Sequence, residues 1–181
     1  IVAEELPAAL ALLHAKGFAG VNLTVPHKIQ ALTIAEALSP EARRAESVNT
    51  LVRTATGWTG HTTDGQGFLE ALRERTGRTT QGRPVILLGS GGAARAVAAA
   101  CLADGCASLH LHNRDVAKAT DLGAALAQRR HRQRKHVQPV EQVFAETAGL
   151  HLGRRMAEAV AITRLHHRHL RMHHIQELKS R

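Results

Sequence analysis

Aromatic side chains are nearly missing from this chain. Of 181 residues, one is Trp, three are Phe and none is Tyr. A core of stacked rings is therefore excluded, and Leu, Val, Ile and Ala must fill the interior. Cysteine is also scarce. Cys101 and Cys106 match no metal-ligand spacing and cannot build a disulfide scaffold, so a reducing, cytoplasmic location is expected. No apolar run approaches the ~20 residues that cross a bilayer, so no membrane partner is expected. The opening residues, Ile1 to Glu5, lack the basic stretch of a signal peptide. A start at Ile1 rather than Met points to a fragment or a processed chain.

What is plentiful is positive charge, a net +9, and it is unevenly spread. Residues 1–128 hold twelve Lys or Arg against eleven Asp or Glu. Residues 129–181 hold twelve against four, and eight of the thirteen His. The break falls at "QRRHRQRKH", residues 128–136. Charge alone would suggest a nucleic-acid binder, but most of the chain is balanced.

The pattern along the first 128 residues is that of alternating helices and strands. Residues 4–16 predict an amphipathic helix with Leu6, Leu10 and Leu13 on one face, ended by Gly17. "FAGVNLT" predicts a short strand. A helix then starts at Pro26, with Ile29, Leu32, Ile34, Ala35 and Leu38 expected on its buried side. Ser39 and Pro40 are an N-cap and a first helical residue. "SVNTLVRT" and "GWTGHTT" predict two strands turned at Thr56-Gly57, and "DGQGFLEALRER" a helix. A polar loop, residues 75–83, marks a candidate domain boundary. Beyond it, "PVILLGS" has the unbroken apolar character of a strand buried on both faces. An alanine-rich helix, the strand "SLHLHN" and a further helix complete a βαβ pattern.

The glycine-rich "GSGGAARA", residues 89–96, sits between the predicted strand and helix. There Gly89 allows a tight turn, Gly91 or Gly92 lets backbone approach a pyrophosphate, and the helix N-terminus offers free N–H groups. Gly89, Ser90, Gly91, Gly92 and Ala93 are thus candidate cofactor contacts. The second strand of such a unit ends near the adenosine ribose. Here it ends in Asn113, Arg114 and Asp115, with Lys118 one turn on. Arg114 and Lys118 favour a 2′-phosphate, hence NADP. Asp115 opposes one unless it caps the next helix, so NAD stays an alternative.

Three earlier segments, "NLTVPHK", "ESVNTL" and "GHTTDGQG", each put small polar groups at the edge of an apolar strand. Thr24, Lys28, Asn49 and Asp64 offer a hydroxyl, an amine, an amide and a carboxylate, a set suited to a small polyhydroxylated acid. Taken singly, Asn49 reads as a turn residue, Asp64 as a helix cap and Lys28 as a solvated first-turn residue. Taken in order, the segments resemble the shikimate dehydrogenase family. Its patterns N-V-T-x-P-x-K, A-V-N-T, G-x-N-T-D-x-x-G, G-x-G-G-A-x-x-A and N-R-T stand here as N-L-T-V-P-H-K, S-V-N-T, G-H-T-T-D-G-Q-G, G-S-G-G-A-A-R-A and N-R-D. The resemblance covers residues of about 4–128. It implies reduction of 3-dehydroshikimate by NADPH in aromatic amino-acid synthesis. It also implies that Thr24, Lys28, Asn49 and Asp64 bind substrate, and that Lys28 and Asp64 are the catalytic pair.

The sequence departs from that family at several points. The N-terminal S-x-S-P motif is absent, Thr62 replaces an Asn, Asp115 replaces a Thr, and no "VNATPxGM" segment or late substrate Gln follows residue 128. A shifted reading frame or junction is the expected origin of the tail. "PVEQVFAETAGL" and "GRRMAEAVAITRLHHRHL" are expected as helices within it, and the His-rich "LHHRHLRMHH" is not expected to bind metal.

The reading is therefore an α/β chain in three parts. Residues 1–76 form a partial substrate-binding domain, 83–128 a partial Rossmann-like NADP-binding domain, and 129–181 a divergent basic tail. The expected partner is a small-molecule substrate, with a homodimer left open and nucleic acid not expected. Alternatives are an NAD-linked quinate/shikimate enzyme, an inactive fragment, and a nucleic-acid binder acting through the tail.

Overall fold

The computed structural model describes residues 1–133, 143–146 and 160–162. The His-rich "LHHRHLRMHH" lies outside the described residues.

A 3-10 turn, Ala3–Glu5, leads into α1, Leu6–Ala15. Then come β1 (Gly20–Asn22), α2 (His27–Ile34), β2 (Ala37–Leu38), α3 (Pro40–Ala45), β3 (Thr50–Arg53), β4 (Trp58–His61) and α4 (Asp64–Thr76). The four strands form one sheet in the order β1-β3-β4-β2, in which only the β2–β4 pair is parallel. Leu6, Leu10, Leu23, Ala31, Val48, Leu51 and Trp58 pack its core. The one Trp is anchored there, its indole N–H donating to the Leu10 carbonyl at 3.3 Å.

Two expectations for α2 are corrected. The helix stops at Ile34, and Ala37–Leu38 forms a strand rather than its last turn. Ile29 is also exposed, at 47%, while His27 and Ala31 are buried. At 100° per residue, position 29 lies some 200° round the helix from 27, so both cannot face one core. The Ser39 cap is as expected, its hydroxyl accepting from the Ala42 N–H at 3.1 Å.

The second sheet begins with β5 (Pro84–Leu88), α5 (Gly92–Ala103), β6 (Ser108–His112) and α6 (Val116–Gln133). Strands β5 and β6 are parallel with Leu87 beside Leu111, the βαβ arrangement of a Rossmann-like fold. Two further strands, β7 (Val143–Glu146) and β8 (Val160–Ile162), join as parallel outer neighbours in the order β7-β6-β5-β8. Both lie where the sequence predicts helices, in "PVEQVFAETAGL" and "GRRMAEAVAITRLHHRHL". Short apolar runs carry too few periods to separate strand from helix, and here pairing with the existing sheet decides. Helix α6 and these strands also run past residue 128, where the sequence reading ends the second lobe.

Helix α4 links the halves. It follows the first sheet in sequence, yet Phe68 and Leu69 pack against the core of the second, made by Val85, Leu87, Val97, Cys101, Leu109, Leu111 and Leu122. Gly65 at its start is buried against Ala96 and Ala100 of α5. Among the described residues, no helix is long and apolar enough to cross a membrane.

Candidate active site

Three helix N-termini converge where the two sheets meet. Lys28 lies in the first turn of α2, Asp64 is the first residue of α4, and Gly92 is the first residue of α5. The Lys28 ammonium donates to Asp64 Oδ2 at 2.6 Å, and both side chains are largely shielded, at 12% and 20% exposure. Asn49, just before β3, donates from Nδ2 to Asp64 Oδ1 at 2.8 Å and to Thr63 Oγ1 at 2.9 Å. Its Oδ1 accepts from the Thr63 N–H at 3.0 Å and from the Thr50 hydroxyl at 2.9 Å. The backbone ties the same parts together, with the Val48 N–H donating to the Lys28 carbonyl at 2.8 Å.

Asp64 is thus not a helix cap. Thr63 holds the N-cap position, and the Asp64 carboxylate is divided between an ammonium and an amide. The Thr24 hydroxyl makes no hydrogen bond among the described residues, while its carbonyl accepts from the His27 N–H at 2.9 Å. Thr24 is exposed beside the start of α2, free to meet a ligand. Thr63 is a member of the cluster that sequence reasoning passed over, although it stands inside "GHTTDGQG".

The arrangement holds a proton donor in a fixed place. An ammonium against a carboxylate, away from bulk water, can stabilise charge growing on a carbonyl oxygen and deliver a proton to it. The positive ends of the nearby helices act on the same negative charge in the same sense.

The glycine-rich turn lies next to this cluster. Gly89 has φ +120°, a conformation that a side chain at this position would strain. Gly91 opens to free space, with nothing within 4 Å of where a Cβ would stand. Helix α5 then begins with its first N–H groups unpaired within the helix. These features fit the pyrophosphate of a dinucleotide, with Ser90 buried in the turn and Ala93 in the first helical turn. Gly92 differs from Gly91, since it is buried against Lys28 and Ser47.

At the end of β6, Asp115 caps α6. Its Oδ1 accepts from the Lys118 N–H at 3.3 Å, and its Oδ2 lies 3.3 Å from the Lys118 ammonium. The backbone N–H of Lys118, with its side chain, lowers the Asp115 carboxyl below its ordinary range. Asn113 donates to the Asp115 carbonyl at 2.9 Å. Arg114 is exposed and without an ion pair or hydrogen bond among the described residues. The carboxylate that opposed a 2′-phosphate is therefore turned to the helix, and Arg114 is the basic group left free for one. No group of His, Cys, Asp and Glu able to hold a metal occurs among the described residues.

Comparison with known proteins points the same way. Residues 1–51 match the model of the shikimate dehydrogenase substrate binding domain. A relative from Rhodospirillum rubrum, named shikimate dehydrogenase (NADP(+)), is 50% identical over 129 residues, 70% of this chain and 46% of the relative. The solved shikimate 5-dehydrogenase of Thermus thermophilus, in complex with NADP(H) and shikimate, is 38% identical with a TM-score of 0.62. That match covers 70% of this chain and 47% of the other. Quinate dehydrogenase from Corynebacterium glutamicum, solved with NAD, is 28% identical at a TM-score of 0.68, over 87% of this chain and 54% of its own. The chain spans about half the length of the curated relatives it matches.

Proposed function

Because residues of about 4–128 belong to the shikimate dehydrogenase family, we propose that this chain reduces 3-dehydroshikimate to shikimate with NADPH. The observation that carries the proposal is the cluster of Lys28, Asp64 and Asn49 beside the glycine-rich turn. Bound NADPH would supply hydride to the ketone carbon. Lys28 would stabilise the growing negative charge on the ketone oxygen and protonate it. Asp64 would hold Lys28 in place and accept from a ring hydroxyl. Asn49 would orient Asp64, and Thr24 would donate to or accept from the substrate. Gly89, Ser90, Gly91 and Ala93 would line the pyrophosphate side, with Asn113, Arg114 and Lys118 around the adenosine ribose.

The same reading divides the chain into a substrate lobe, residues 1–76, and a nucleotide lobe from residue 83. It also puts the protein in the cytoplasm, with a homodimer as the proposed assembly. An NAD-linked reaction on quinate is the second reading. The likeness to the Corynebacterium glutamicum enzyme, solved with NAD, favours it.

The test is oxidation of NADPH and of NADH with 3-dehydroshikimate, and reduction of NADP and of NAD with quinate. NADPH is expected to support turnover with 3-dehydroshikimate. Lys28→Ala is expected to lower kcat by about two to four orders of magnitude while leaving NADPH affinity in place. Parental turnover in Lys28→Ala would sink the assignment of Lys28.

A further inference from the structure

The two adjacent glycines of the turn face different things. A methyl group at Gly92 would lie 2.7 Å from Lys28 Cβ, 3.2 Å from Lys28 Cδ and 2.9 Å from Ser47 Oγ. A methyl group at Gly91 would meet nothing within 4 Å. Ser47 is fully buried, and its hydroxyl has no hydrogen-bond partner. The start of α5 is therefore wedged between the stem of Lys28 and Ser47, with no room for a side chain.

We propose that Gly92 is a positioning residue for Lys28, and that Gly91 alone is the glycine kept for the cofactor. The sequence pattern treats the two as interchangeable for approach to a pyrophosphate. Packing separates them. The Lys28 stem rests on the first residue of the helix whose N-terminus faces the phosphates, so the lysine is held by the nucleotide lobe as well as by Asp64. A Cβ at Gly92 would push the stem by some tenths of an ångström or more. A displacement of about 1 Å at a reacting group costs up to about a hundredfold in rate, and smaller ones cost less. The inference rests on the dehydrogenase reading for its meaning, but the contact itself is testable without turnover.

The experiment measures how fast an amine-acylating reagent modifies Lys28 across pH, by peptide mass spectrometry, in the full chain. Lys118, on the surface, serves as the internal reference. NADPH affinity is read in parallel from its fluorescence. Gly92→Ala is expected to change Lys28 labelling by about fivefold or more, the scale of one overpacked methyl. Gly91→Ala is expected to leave Lys28 labelling at the parental rate and to weaken NADPH about tenfold or more, the scale of a lost backbone-to-phosphate contact. Parental Lys28 labelling in Gly92→Ala would overturn the proposal, as would altered labelling in Gly91→Ala. Should Gly92→Ala not fold, it is combined with Lys28→Gly and Ser47→Gly, which remove the atoms a methyl would meet, and compared with the Lys28→Gly/Ser47→Gly variant alone. Folding of the triple variant to the level of the double supports the contact, and misfolding of the triple where the double folds overturns it. A parent without turnover would count against the dehydrogenase reading and leave the labelling comparison intact.

Discussion

Asn49 spends all four of its hydrogen-bonding groups inside the protein, on Asp64, Thr50 and twice on Thr63. Its first task is to aim the Asp64 carboxylate. Asn49→Asp would set two carboxylates against each other and draw Lys28 away from its present partner. We expect a fall in kcat larger than the rise in KM for 3-dehydroshikimate, and a shifted pH profile. An unchanged pH profile would assign Asn49 to substrate contact alone. Asp64→Ala leaves the shielded Lys28 ammonium without its partner. A hydrogen bond to a charged group contributes about 1.5–3 kcal/mol, so a thermal melt should register a loss of that order. At this scale the sequence was informative: Lys28, Asn49 and Asp64 were singled out by type and order, and they meet. What it could not give was direction. Asp64 as a cap and Asp64 as the partner of Lys28 share one sequence, and only the fold decides between them.

Among the elements, α5 carries the clearest consequence. Cys101 is fully buried on it, and burial pushes its thiol up to about 12, with Cys106 and Asp104 adding to the shift. The unfolded thiol would titrate near ~8.5. Between those values the unfolded chain releases a proton that the folded chain keeps, so stability is full below the lower value and falls as pH rises through the window. Cys101→Val should flatten that fall by up to about 1.4 kcal/mol per pH unit, measured by urea unfolding at several alkaline pH values. An unaltered slope would mean that other groups govern it. Long, strongly periodic elements such as α1, α4 and α5 were legible in the sequence. The short ones were not. β2 has only two residues, and it exists because Ala37 and Leu38 find Thr59 and Gly60 alongside. β7 and β8 likewise owe their form to neighbours, which no local pattern records.

At the scale of the molecule, the two sheets are joined through α3, α4 and α5. Arg95 of α5 donates to Glu46, the residue after α3, at 2.8 Å. Arg95→Ala should lower stability by about 1 kcal/mol and loosen the seat of α5 against Lys28, seen as a lower Tm. An unchanged Tm would leave the joint to apolar packing alone. In the sequence the two sheets are separated by a polar loop and a change in strand character. Their joint left no such mark, because α4 follows the first sheet in sequence and packs on the core of the second.

The central claim is that Lys28 acts in a hydride transfer between nicotinamide and a ring ketone. The most direct measurement is a single turnover of excess enzyme with 3-dehydroshikimate and NADPH deuterated at the transferring position of nicotinamide C4, read by mass spectrometry of the product. The account predicts shikimate carrying one deuterium at the former ketone carbon, formed about a hundredfold or more slowly by Lys28→Ala than by the parent. Product without deuterium, or labelled product formed at equal rates by parent and Lys28→Ala, would contradict it.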